Sequence, residues 1–104
     1  MKIVGVAACT AGIAHTYMAR EKLIKGAMAR GHECRCETQG TIGTEYKLTE
    51  QEIADADVVI LAVDVKISGE ERFKGKPVIR VGTAAVIKNA IGFIEKVEKA
   101  LENK

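Results

Sequence analysis

Two spacings of apolar residues alternate along the chain. Residues 2–8, Lys2-Ile3-Val4-Gly5-Val6-Ala7-Ala8, are a short run of β-branched and small side chains, which predicts a buried strand. Residues 15–30 follow without proline and are rich in helix formers (Met18, Ala19, Arg20, Glu21, Lys22, Leu23), with Gly31 as the stop. Residues 32–38 predict a second strand, less apolar and therefore expected at an edge. Residues 39–48 contain Gly40 and Gly43 and predict a loop. Thr49-Glu50-Gln51-Glu52 has the form of a capping box and opens a short helix ending near Ala56. Residues 57–63 become continuously apolar after Asp57, the signature of a strand covered on both faces. A helical turn over 68–73, a break at Gly75-Lys76-Pro77 and a fourth strand over 78–81 come next. From Thr83 a final helix presents Ile87, Ala90, Ile91, Ile94, Val97 and Leu101 on one face.

This alternation of strands and helices calls for an α/β fold, a parallel sheet with helices on both faces. No repeat, linker or low-complexity stretch interrupts it, and 104 residues make one domain. Composition narrows the function classes by exclusion. Lys plus Arg is 16 against 14 for Asp plus Glu, a net charge of +2 that argues for no particular partner. With no basic run and only Tyr17, Tyr46, Phe73 and Phe93 as aromatic rings, nucleic-acid binding has no support. The longest apolar run, Val58-Val59-Ile60-Leu61-Ala62-Val63, is far short of a bilayer span. The apolar start is about one strand long and stops at a glycine-containing loop, so a core strand is expected there rather than a signal peptide. Three cysteines without framework spacing fit a reducing cytoplasm. A soluble chain beginning at or near Met1 is the expectation.

The candidate chemistry lies between the first strand and the first helix, in Cys9-Thr10-Ala11-Gly12-Ile13-Ala14-His15-Thr16. Open parallel sheets bind ligands beyond the carboxyl ends of their strands, where helix N-termini present unpaired N–H groups. A loop of small residues lets those groups converge on an anion, and the helix dipole adds partial positive charge. The same field favours thiolate over thiol, so Cys9 is expected to be nucleophilic. The loop matches neither G-x-G-x-x-G nor G-x-x-x-x-G-K-[ST], and it is not C-x-x-C. It does have the length of a cysteine phosphatase loop, but His15 stands where an arginine fork would grip the phosphate. That exchange points away from fast hydrolysis and towards a phosphocysteine that waits for an acceptor. The plain alternatives are a buried small hydrophobe at Cys9 and a simple helix start at His15-Thr16.

These residues resemble the fructose-type enzyme IIB domain of the bacterial phosphoenolpyruvate-dependent sugar phosphotransferase system. The family loop reads Cys-Pro-Thr-Gly-Ile-Ala-His-Thr, then an aromatic, Met and Ala; this chain has Cys9, Gly12-Ile13-Ala14-His15-Thr16 and Tyr17-Met18-Ala19. The likeness continues through Glu37-Thr38-Gln39-Gly40, the stretch from Ala56 to Ala62, Asp64 and Arg72-Phe73, essentially the whole chain. Thr10-Ala11 replaces the family's Pro-Thr, removing a φ constraint and shifting the hydroxyl. The resemblance implies a three-layer domain with a four-stranded parallel sheet in the order 2-1-3-4. It implies that Cys9 takes a phosphoryl group from a phosphohistidine IIA partner and passes it to a fructose-like sugar bound by a membrane IIC partner. Residues 10 to 16 would hold the phosphate through backbone N–H groups, with His15 and Thr16 as side-chain donors. No metal or organic cofactor is expected, and the chain would sit in the cytoplasm, at the inner membrane only through IIC.

Other residues invite weighing. Thr38, Gln39, Gly40, Asp64 and Thr83 follow strand ends, so they are expected on the same edge as Cys9 as a docking rim. Their plain readings are a turn at Gln39-Gly40, a cap or a Lys66 partner at Asp64, and an N-cap at Thr83. His32, Cys34 and Cys36 alternate on one strand face. Such residues stand about 6.6 Å apart, whereas thiolates on one zinc must lie within roughly 4 Å of each other, so no metal site is expected. Two rivals remain: a low-molecular-weight phosphatase or arsenate-reductase-like enzyme, for which Asp64 would be the acid, and a non-catalytic phosphate-binding regulatory module.

Overall fold

The computed structural model describes residues 1–10, 12–40 and 43–102. Side chains on a strand point alternately to opposite faces, and β1 (Lys2–Ala8) uses both. Ile3 and Ala7 enter one core, while Val4, Val6 and Ala8 enter another. β4 (Val58–Val63) repeats the device, with Val58, Ile60 and Ala62 on the first side and Val59, Leu61 and Val63 on the second. The continuous apolar run is thus a strand covered on both faces.

The domain is α/β, with a five-stranded sheet in the order β3-β2-β1-β4-β5, where β2 is Glu33–Gly40, β3 Gly43–Glu45 and β5 Val78–Val81. β1 pairs in parallel with β2 and β4, and β4 with β5. These four strands keep the expected relative order. The fifth is the difference. β3 runs antiparallel to β2, Thr38 facing Glu45 and Gly40 facing Gly43, so residues 39–48 are not all loop and β2 is not the edge. A strand as short as Gly43-Thr44-Glu45 carries too little alternation or β-branching to be read from sequence. It is held by tertiary contacts: the Tyr17 hydroxyl donates to the Glu45 carboxylate, and the Arg20 guanidinium lies 3.8 Å from the centre of the Tyr46 ring.

Helix α1 (Ile13–Ala29), α3 (Thr83–Lys88) and α4 (Ala90–Glu102) cover the first side through Ala19, Leu23, Ala27, Val86, Ile94 and Val97. α2 (Glu50–Asp55) and a 3-10 turn, Glu70–Phe73, cover the second through Ile53 and Phe73. α1 and α4 cross closely, since a Cβ on Gly26 would lie 2.8 Å from the Ala90 Cβ. The capping box forms as read: Thr49 Oγ1 accepts from the Glu52 N–H at 3.1 Å, and Glu52 Oε1 accepts from the Thr49 N–H at 2.9 Å. The expected single helix from Thr83 is instead two, broken at Asn89 (φ −156°, ψ 75°). Asn89 Oδ1 accepts from the Gly92 N–H at 3.0 Å, the capping competition with helix continuation for which asparagine is suited. The break leaves Ile91 49% exposed while Ile94 and Val97 stay buried.

Candidate functional site

β1 delivers the chain to Cys9, and α1 begins at Ile13 rather than at His15. The N–H groups of the first turn, residues 13 to 15, have no acceptor within the helix, and no acidic residue occupies that turn. The Thr16 N–H, by contrast, donates to the Gly12 carbonyl at 3.2 Å. The expected cradle of residues 10 to 16 therefore loses the Thr16 amide and keeps its hydroxyl. Ala11 lies outside the described residues.

Gly12 is the hinge between strand end and helix. Its φ of 114° and ψ of 169° belong to a region that is essentially glycine-only. Space is not the obstacle, since nothing lies within 4 Å of where a Cβ would sit. Gly12→Ala is expected to lower stability by about 1–3 kcal/mol, read as a lower urea midpoint at unchanged slope.

The half-buried Cys9 sulfur lies 3.1 Å from His15 Nδ1 and 3.2 Å from Thr16 Oγ1. The Thr16 hydroxyl also reaches the Gly12 carbonyl at 3.3 Å, which fixes its rotamer at the sulfur. One turn of helix thus places an imidazole and a hydroxyl on one thiol. Beside them opens a cleft of about 500 Å³, lined by Ala8, Cys9, Thr10, Gly12, Thr16, Gln39, Gly40, Val65 and Lys66.

The strand ends divide between wall and support. Gln39 and Gly40 line the cleft. Thr38 and Thr83 are fully buried, so, unlike the exposed rim expected, neither side chain lies at the surface. Thr38 Oγ1 has no hydrogen-bond partner among the described residues. Asp64 turns to α3, its carboxylate accepting from the Thr83 N–H at 3.1 Å and the Thr83 hydroxyl at 2.5 Å. The N-cap of α3 is Gly82, which has no capping side chain, so Asp64 supplies the cap and Thr83 is the first helical residue. The Thr83 hydroxyl and then its N–H, with a smaller contribution from nearby His15, hold the Asp64 carboxyl below the usual carboxylate range. With its oxygens engaged at Thr83 and its place outside the residues that line the cleft, Asp64 gives no support to the phosphatase-style role weighed for it.

Residues 4–96 match the family described as "PTS system, Lactose/Cellobiose specific IIB subunit". The chain belongs to this PTS IIB family. Over 100 residues the IIB chain is 48% identical to the "PTS system fructose-like EIIB component 2" of Escherichia coli (strain K12), covering 96% of this chain and 94% of that one. The solution structure of an enzyme IIB subunit of the PTS system from Escherichia coli K12 superposes with a TM-score of 0.91 at 37% identity, covering 98% and 94% of the two chains. A Vibrio cholerae relative, "PTS system fructose-specific EIIB'BC component", is 45% identical over 87 residues, which are 84% of this chain and 15% of that one. The resemblance read from the loop is thereby borne out at the level of the family, and IIB components are subunits of a phosphotransferase.

The remaining candidate thiols of this IIB subunit have structural roles. Burial pushes the Cys34 thiol up to about 12 and raises that of Cys36 as well, leaving both protonated and packed in the first core. His32 is committed elsewhere, its Nε2 2.6 Å from Glu98 Oε2. No group of three or more potential metal ligands occurs among the described residues. No helix among them is long and apolar enough to cross a membrane. Sequence reasoning missed Val65 and Lys66 as cleft residues; their only signal was their place just past the end of a strand.

Proposed function

We propose that Cys9 carries a phosphoryl group between two partner proteins, one donating from a phosphohistidine (IIA) and one binding a sugar at the membrane (IIC). The observation that carries this reading is a half-buried sulfur within 3.2 Å of both His15 Nδ1 and Thr16 Oγ1, at the start of α1 and on a cleft. In the first transfer a lone pair of Cys9 Sγ attacks phosphorus, the S–P bond forms and the P–N bond breaks. The electron pair returns to the histidine nitrogen, and the thiol proton ends on that imidazole. In the second transfer a sugar hydroxyl oxygen attacks, the O–P bond forms, the S–P bond breaks, and the hydroxyl proton ends on sulfur. Phosphoryl transfer depends on in-line positioning and on charge stabilisation at the equatorial oxygens. The N–H groups at the start of α1 with the His15 and Thr16 side chains supply the second.

The sugar is fructose-like, a reading supported by the names of the Escherichia coli and Vibrio cholerae relatives. The latter name, which joins B with C, supports a IIC partner and hence a peripheral position at the cytoplasmic face of the membrane. No arginine lines the cleft among the described residues, which favours a carrier over a phosphatase. The test is incubation with phosphoenolpyruvate, the general phosphotransferase proteins and a fructose-type IIA, followed by mass mapping. A gain of one phosphoryl group on Cys9 is expected. Fast release of inorganic phosphate would instead identify a phosphatase, and no modification a binding module.

A further inference from the structure

We propose that Lys66 is the cation that neutralises the phosphorylated cleft and that Gln39 is the residue that positions it. The inference rests on the carrier reading and extends it to a side chain outside the Cys9 loop. A phosphoryl group brings a charge of about −1.5 to −2 at neutral pH, and the Cys9 loop meets it with an imidazole and a hydroxyl where a phosphatase loop has an arginine fork. Of the described residues that line the cleft, Lys66 is the one cation. It is exposed and makes no ion pair with a carboxylate among the described residues. The arginines of those ion pairs, Arg30, Arg35, Arg72 and Arg80, are by contrast engaged with Glu partners. Lys76 is held by the Ala54 and Ala56 carbonyls.

The segment bearing Lys66 is pinned at both ends. At one end the Asp64 N–H donates to the Ala8 carbonyl at 2.9 Å while its carboxylate caps α3. At the other, Gln39 clasps the Ser68 backbone: Gln39 Nε2 donates to the Ser68 carbonyl and Gln39 Oε1 accepts from the Ser68 N–H, each at 2.9 Å. Ile67, between them, is buried in the second core. Gln39 is oriented in turn by Glu37, whose Oε2 accepts from Gln39 Nε2 at 2.8 Å. The Lys66 side chain stands exposed on a backbone held by hydrogen bonds on either side. An ammonium on a flexible stem acts as a point charge rather than as a rigid fork. That suits a group which must be held and then surrendered.

The test measures the equilibrium for phosphoryl transfer from phosphorylated IIA to Cys9 by intact-mass spectrometry, at low and at high ionic strength. An equilibrium is chosen because it is indifferent to how fast the donor docks. Lys66→Gln is expected to reduce the equilibrium constant about tenfold at low salt, shrinking towards no effect as screening increases. Lys66→Arg should restore most of the loss. Gln39→Ala should cost several-fold, and adding it to Lys66→Gln should cost little more, because both act through one charge. Wild-type values for Lys66→Gln at low salt, or a loss indifferent to salt, would overturn the inference while leaving the carrier reading in place. A wild-type protein that takes no phosphoryl group on Cys9 would overturn both.

Discussion

Cys9→Ser is expected to abolish phosphoryl acceptance from IIA while leaving the fold unchanged. The substitution replaces sulfur by oxygen at the same position, and the His15 and Thr16 groups near it remain. What is lost is the nucleophile: a thiol has an appreciable thiolate fraction near neutral pH and is intrinsically reactive, whereas a hydroxyl needs a strong adjacent base. The expected loss in rate is roughly three orders of magnitude or more, the scale seen when a covalent nucleophile is removed. Circular dichroism and the urea midpoint should match the wild type, so the loss reads as chemistry. Full acceptance by the serine variant would move the carrier residue elsewhere.

Arg72→Ala is expected to have the largest effect on stability. Arg72 Nη1 and Nη2 donate to the two Glu37 oxygens at 2.8 and 3.1 Å, and the Glu37 side chain is 1% exposed. The Leu48 N–H also donates to Glu37, at 3.1 Å. Removing the arginine strands a buried carboxylate, a loss of about 3–5 kcal/mol out of a typical total of about 5–15 kcal/mol. The pH dependence follows. Burial pushes the Glu37 carboxyl up, but hydrogen bonds from Arg72, Gln39 and the Leu48 N–H outweigh it and hold the group below the usual carboxylate range. In the wild type this stabilisation is present above the carboxyl's unfolded-state value and lost as pH falls through the lower folded one. In the variant the Arg72 bonds that offset burial are gone and only those from Gln39 and the Leu48 N–H remain, so this stabilisation shrinks. The gap between the two proteins should therefore be widest at neutral pH and narrow on acidification, measured as urea unfolding from neutral to acidic pH.

Legibility tracked how local each signal was. β1, β4 and the capping box at Thr49 are written in consecutive residues, and each folds as read. So is the Cys9 loop, where one helical turn brings sulfur, imidazole and hydroxyl together because residues 9, 15 and 16 are neighbours in sequence as well as in space. β3 was invisible because its stability comes from Tyr17 and Arg20 on a distant helix. The break at Asn89 had a local cue, the asparagine itself, but the apolar stripe from Ile87 to Leu101 outweighed it. The wall of the cleft is legible only in part: strand position points to Gln39 and Gly40, but not to Val65 and Lys66. Gln39 meets Ser68, and Arg72 meets Glu37, across stretches of chain that carry no shared pattern. Strand position points to Thr38 and Thr83 at this edge, but position alone does not say whether a side chain there faces inward, as both do.

The central place of β1 carries a consequence for how the molecule is used. Hydrogen-bonded on both flanks and buried on both faces, it belongs to the part of such a domain that opens only when everything opens. Its last residue is the one before Cys9. The sulfur is therefore anchored directly to the interior of the sheet, one residue past its central strand. On the carrier reading proposed above, two partners in succession would bring their reacting atoms to a sulfur whose position the sheet itself sets.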